Sequence, residues 1–501
     1  MPTCVTPEKT NPGQYSYEFT GWTPAVTTVT GTAEYTATYN LVGINANDPD
    51  HPFVVNEDTE MPTTKVAADG GTLNVVEGNT LTTTNLILEA APDNSGQLTG
   101  EGTIVADNVY FDLKLNTEAR HWHAFGVPWN VDVTEHALTE VETGRTLVVG
   151  RDCEIIYYNG ATRASQGAGA HCWEYLKHYS GDGHVDVMTP GKGYMIAFTS
   201  AVQTVRLTKA SGAPIFFGGT NSVTGGAGED GGWNAMANPM AYHATLNAGP
   251  TVGYVHDGGE IGSDGYTPYD ISGTRYIVGK MVYVQAASDQ TIVVNPAGEA
   301  GDMTIVAAPK RSAKATSKQY LSLSDYYAVS LSNGENASKV YVLPEEDKAD
   351  EYVIGHDLSQ FSMSAQKPQV WVDRYDTKLA LNTTAPVNGV ADFPLSLYAP
   401  ANGEYTIANA NANANADYTL YLTRDGEAIW NLTSSPYTLD LNKGTVSNYG
   451  LRLILQAPQT TTGIDEAVID AQGQTQKVLI HDKVYIIRGD KVYSIDGQIV
   501  K

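Results

Sequence analysis

The chain has 501 residues, 42% hydrophobic and 17% charged, with a formal net charge of −26 at neutral pH. That length exceeds one ordinary hydrophobic core, so several domains are expected. The acidic balance excludes the basic footprint that nucleic-acid binding needs, and no apolar run is long enough for a membrane-spanning helix.

Thr, Asn, Gly and Ala are abundant, and 30 Tyr stand against 9 Phe. Short apolar runs recur between Gly, Asn, Asp and Pro, with no long 3.6-residue period. The expected fold class is therefore all-β, a multi-domain array of β-sandwiches whose exposed faces carry rings with a polar tip. Three cysteines, Cys4, Cys153 and Cys172, are too few for a disulfide framework, although Cys153 and Cys172 are a pair that an oxidising compartment could join. The opening MPTCVTPEKTNPGQ has neither a basic start nor an apolar stretch, so it is not a signal peptide.

Within residues 1–42, Tyr15, Tyr17 and Phe19 alternate with polar residues, as do Tyr35, Ala37 and Tyr39. This predicts two half-buried strands, with Val26 and Val29 in the connection and Trp22 capping the small core between them. The signature FTGWTP…VTGTAEYTATY resembles the last half of a Listeria–Bacteroides (internalin B-type) repeat, a small β-grasp-like module of bacterial surface proteins. The resemblance implies a surface location and a longer protein whose first half-repeat precedes Met1.

Residues 43–70 are turn-rich and acidic and read as a linker. Asp48, Asp50, Glu57 and Asp58 supply the clustered oxygens a structural calcium would want, but not at EF-hand spacing. A solvated acidic loop is the expectation, and no cofactor is expected. Residues 71–118 place short strands every few residues between Gly and Asn turns, the pattern of stacked β-rungs. They are grouped with a first β-sandwich, giving a domain over 71–305.

In that sandwich Trp122, Phe125, Val127 and Trp129 are placed on a central strand, and Pro190-Gly191-Lys192-Gly193 opens a strand over Tyr194–Phe198. "PGKGYMIAF" followed by "GWN…ANPM" resembles a β-sandwich widespread in outer-surface proteins of Bacteroidetes, with the Gly-Tyr and Trp-Asn…Asn-Pro strands in its core. It carries over no active-site residue. Composition shifts to small and basic residues over 296–318, with the linker set at 306–318.

A second β-sandwich is expected over 319–457, with the tract at 408–417 as a flexible hairpin tip. The series YLTRDGEAIWNL…YTLDL…LRLIL resembles the penultimate sandwich of many Bacteroidetes secreted proteins. A Gln- and Thr-rich linker, 458–476, leads to a small C-terminal β domain over 477–501. There Val484–Ile487 and Val492–Ile495 read as strands around the Arg488–Lys491 turn. Thr462-Gly463-Ile464, Tyr485, Ile486, Ile487, Tyr493 and Asp496-Gly497 resemble the C-terminal sorting domain of the type IX (Por) secretion system. That resemblance implies a partner, the secretion machinery, and an extracellular or outer-surface destination.

Chemistry-bearing patterns are sparse. His121 and His123 stand two apart, as strand-borne zinc ligands can, with His171, Cys172 and Cys153 as the only further ligands in view; plain polar-face histidines are the simpler reading. Cys172 with His178 or His184 lacks a nucleophile signature. The Gly-rich stretch 218–234 lacks P-loop spacing and reads as a long, mobile loop. Arg488-Gly489-Asp490 spells an integrin-binding tripeptide, but Gly and Asp are what the turn itself needs. Of the tryptophans, Trp173, with Tyr157 and Tyr158, is the candidate for an exposed glycan-stacking surface, because ring faces attract C–H groups.

The function expected is that of a non-catalytic secreted or cell-surface protein, structural or adhesive. A glycan-binding accessory protein is the alternative, with host or dietary glycans or a matrix protein as possible partners. No nucleic acid and no transmembrane span are expected.

Overall fold

In the computed structural model of the chain the residues described are 6–10, 12–23, 25, 34–117, 119–133, 137–176, 186–210, 219–246, 252–256, 265–271, 276–296, 323–361, 365–410, 417–456, 475–480, 483–488 and 491–494. They form an all-β protein with one short α-helix, Gly160–Gln166. Two compact units divide it, Met1–Leu455 and Gln456–Lys501.

The alternating residues near the start pair as expected: Tyr15–Thr23 runs antiparallel to Thr36–Ala46, and Phe19 packs edge-on to Trp22 and Tyr39. The second of these strands does not stop at residue 42. It runs on to Ala46 and pairs in parallel with Thr59–Val66, which pairs in parallel with Thr80–Ala91, and that with Thr103–Thr117. Phe53–Val55, Thr72–Val75 and Gln97–Gly100 form a second parallel sheet. The segment 43–70 is therefore part of the rungs rather than a linker. Its acidic turn residues hold the corners: Asp48 accepts from the amides of Asp50 and His51, and Asp58 from that of Thr80 at 2.8 Å. Ile44, Val55, Val66, Leu73 and Leu88 fill the space between the two rung faces.

On the longer sheet, Glu89 bridges Lys65 at 2.8 Å and Lys114 at 2.7 Å, and Arg206 grips Asp112 with two bonds. This sheet continues through Val202–Thr208 to Leu138–Glu140 and Arg145–Leu147, so rungs and first sandwich share one sheet and one core.

The first sandwich sets His123–Phe125, Tyr194–Phe198, Cys153–Tyr158 and Trp173–Tyr175 in one sheet and Trp233–Ala237, Met281–Gln285, Val252–His256 and Tyr266–Asp270 in another. Tyr194–Phe198 has the boundaries its sequence predicts, and Tyr194, Trp233 and Asn238 are buried. The stretch Trp122–Trp129 is not a central strand. Only His123–Phe125 is extended, at the sheet edge, because Pro128 lacks the amide a ladder needs; Val127 and Trp129 are nonetheless buried.

Nor is the Gly-rich stretch a loose loop. Gly219–Val223 pairs with Gln290–Pro296, and Gln285 Nε2 donates to the carbonyls of Gly228 and Gly231, both at 2.8 Å. The chain folds so tightly that a Cβ on Gly226 would lie 2.1 Å from the Gly232 nitrogen.

The second sandwich is a single 11-stranded sheet. It curls over its own core: Tyr327 Oη donates to the Tyr418 carbonyl although their strands lie far apart in the sheet order. Phe361 reaches from it into the first sandwich, with its ring 4.5–5.7 Å from those of Tyr158, Trp233, Tyr254, Tyr266 and Tyr283. Tyr254 Oη also donates to the Ser359 carbonyl at 2.8 Å. The two sandwiches thus share a third core instead of hanging from a linker. The linker 306–318 itself and the hairpin tip at 411–416 lie outside the described residues.

The C-terminal unit is a three-stranded antiparallel meander, Thr475–Ile480, Lys483–Arg488 and Lys491–Ser494. A strand is thus added to the expected hairpin, and it begins inside the segment read as linker 458–476. Tyr485, Ile486, Ile487 and Tyr493 lie on its strands; Gly489, Asp490, Asp496 and Gly497 lie outside the described residues.

Candidate binding cleft

A cleft of about 660 Å³ opens in the first sandwich where the end of Cys153–Tyr158, the helix Gly160–Gln166, the turn before Tyr194 and the strands Gly219–Val223 and Trp233–Ala237 meet. The helix starts there because Asn159 caps it, its Oδ1 accepting from the Thr162 amide at 3.0 Å. It lies close to the strand because Gly160 has no side chain: a Cβ would sit 1.9 Å from the Trp233 carbonyl oxygen. Arg163, on its buried face, stacks over Trp233 at 4.6 Å and bonds Asp230 at 2.9 Å.

Three polar groups define the cleft. Tyr157 donates its hydroxyl to Glu174, which also accepts from Asn159 Nδ2. These two bonds hold the Glu174 carboxyl below its usual range, and the carboxylate pushes the Tyr157 phenol up to about 12. Lys192 lays its ammonium 3.5 Å from the centre of the Tyr157 ring. Burial pulls its pKa down, opposed by the fields of Glu174 and Asp186. Asn221 is 3% exposed; its Nδ2 donates to the Ala237 carbonyl at 2.8 Å, and its Oδ1 has no hydrogen-bond partner.

The stacking surface expected of Trp173, Tyr157 and Tyr158 is only partly realised. Tyr158 is buried, its ring 5.0 Å from Trp173 and 5.7 Å from Tyr283, and Trp173 also packs on Tyr283 at 5.7 Å. Tyr158 is spent on the core, because adjacent residues on a strand point to opposite sides and it takes the inward one, while Trp173 stays half-buried against that core. Tyr157 is half-buried and forms the floor beneath Lys192, with Tyr158 also lining the cleft. The exposed tryptophan is Trp430, on the edge strand Glu427–Asn431 beside Tyr437. Lys192 and Asn221 were not singled out by their sequence context: the first sits in a turn motif, the second in a Gly-rich stretch.

The remaining candidates separate. Among the described residues no group of three or more His, Cys, Asp or Glu is placed to hold a metal ion. His171 bonds the Gly167 carbonyl at 2.9 Å, and burial, with the nearby His121, lowers the His123 pKa to about 4. Cys153 and Cys172 are both buried and free rather than joined, with burial raising both thiols. Cys4, His178 and His184 lie outside the described residues. A second cavity, about 670 Å³, lies between the sandwiches beside Arg163, Glu229, Asp373, Arg374 and Lys378. No family model, no curated protein and no solved structure matches the chain.

Proposed function

We propose that this is a non-catalytic secreted or cell-surface protein of a Bacteroidetes-type bacterium, an adhesive or structural display module exported through its C-terminus. The observation that carries the reading is the division of the chain: Gln456–Lys501 is a compact unit of its own, while the β modules before it pack into one body. A sorting address must be read whatever its passenger, and a separate small meander bearing Tyr485, Ile486, Ile487 and Tyr493 suits that task. Shared sheets and shared cores suit a scaffold that holds a surface in place. The buried, raised thiols of Cys153 and Cys172 are poor nucleophiles, which counts against cysteine chemistry at these two positions.

The test is deletion of residues 456–501 in a host with a type IX system, followed by cell fractionation. With a Sec signal peptide fused ahead of residue 1 in both, the full chain is expected at the cell surface and the truncated protein in the periplasm. Arrival of the truncated protein at the cell surface would remove the export reading.

A second reading, a glycan-binding accessory protein, draws on the cleft beside Tyr157, whose hydroxyl- and amide-bearing walls match sugar hydroxyls.

A further inference from the structure

We propose that the cleft beside Tyr157 binds an acidic saccharide, with Lys192 receiving the carboxylate and Asn221 a ring hydroxyl. This rests on the glycan-binding reading and names its ligand class.

Asn221 sets one end. Only an amide NH2 can donate to the Ala237 carbonyl, so this bond assigns the side-chain orientation and leaves Oδ1, buried in the cleft wall beside Gly191, as a pure acceptor without a partner. A buried acceptor without a donor is destabilising, and a ligand hydroxyl that reaches it relieves that penalty. A carboxylate or phosphate offers no proton and gains nothing there.

Lys192 sets the other end. It is half-buried on the Tyr157 ring, and no described carboxylate lies within ion-pair distance of its ammonium. Glu174, held by Tyr157 and Asn159, and Asp186 act on this cation through space rather than through a direct ion pair. In a chain of net charge −26 such a cation is unusual. Beyond about 10 Å the remaining acidic charges are screened at moderate salt, so the local field decides.

Gly191 keeps the path between the two ends open. Its φ is +85°, and a Cβ there would lie 2.5 Å from Asn221 Oδ1. Ser222, Thr224 and the backbone of Gly225 line the space around them, further partners for hydroxyls. A volume of about 660 Å³ is more than a small organic acid fills and falls among ordinary ligand sites. Hydroxyls and a carboxylate on one small rigid body describe a uronic or sialic acid unit.

The experiment is calorimetric titration of the full chain with the galacturonic acid trisaccharide and with 3′-sialyllactose. Each is compared with a neutral counterpart, the trisaccharide methyl ester and lactose. At least one acid is expected to bind about tenfold or more tightly than its neutral form. Lys192→Met should erase that preference and Lys192→Arg should keep most of it, with thermal midpoints showing that both variants are folded. Equal binding of acid and neutral forms, or a preference that survives Lys192→Met, overturns acid recognition and leaves the glycan reading standing. Absence of binding by every sugar up to about 10 mM overturns both.

Discussion

Phe361 is the side chain on which the seam between the sandwiches turns. Its five aromatic neighbours all belong to the other sandwich, and the Arg163 guanidinium lies 5.3 Å from its ring. Phe361→Ala empties that socket, and a loss of about 3–5 kcal/mol is expected, as for other large buried aromatics. In urea the single transition should split in two, read by tryptophan fluorescence; an unchanged midpoint would show that the seam contributes nothing.

Lys348 and Asp357 make a different kind of contact, an ion pair at 3.0 Å with side chains 3% and 0% exposed. Asp357 also accepts from Asn382 and from the amides of Val353 and Thr383, so its charge stays in place if the lysine goes. Lys348→Met should therefore cost about 3–5 kcal/mol in chemical denaturation.

His123 gives a pH dependence. Its pKa falls from 6.5 to about 4 in the fold, chiefly through burial, so the unfolded chain binds the extra proton between those values. Stability from this group is complete above 6.5 and is lost as pH falls towards 4. Comparing wild type with His123→Phe across that range should show a shallower pH slope in the variant; parallel slopes would refute the assignment.

Among the elements, the helix Gly160–Gln166 depends most on the absence of a side chain. A methyl group at Gly160 meets the Trp233 carbonyl, so Gly160→Ala should push the helix off its strand and cost about 1–3 kcal/mol, like other overpacked sites. A thermal midpoint within a degree of wild type would contradict this. The element was not legible in advance. At seven residues it has too few positions to display a helical period, and its cap, Asn159, looks like any turn residue. Tyr194–Phe198 was legible, because Pro-Gly before it and β-branched or aromatic residues within it mark both ends. The parallel rung strands in 43–70 were missed for a physical reason. Each is short, and its hydrogen-bond partner lies about 20 residues away, as Thr63 does from Asn85, so local alternation is weak.

Across the molecule, the division at residue 456 predicts that removing Gln456–Lys501 leaves the remainder folded, with an unchanged urea midpoint for Met1–Leu455. A lowered midpoint would show that the terminal unit supports the rest. Three separate domains were expected between residues 1 and 457. One compact unit replaces them, because strands from adjacent segments complete each other's sheets and Phe361 fills a neighbour's core.

Local chemistry decided the all-β class and the strands at Tyr15–Thr23 and Tyr194–Phe198. Those are properties of alternation, turn residues and composition, which act over a few neighbouring positions. The cleft was decided only by the tertiary structure. Lys192 and Asn221 are 29 residues apart in the chain numbering. Neither differs from an ordinary surface lysine or asparagine until the fold buries one against Tyr157 and leaves the other's oxygen without a donor.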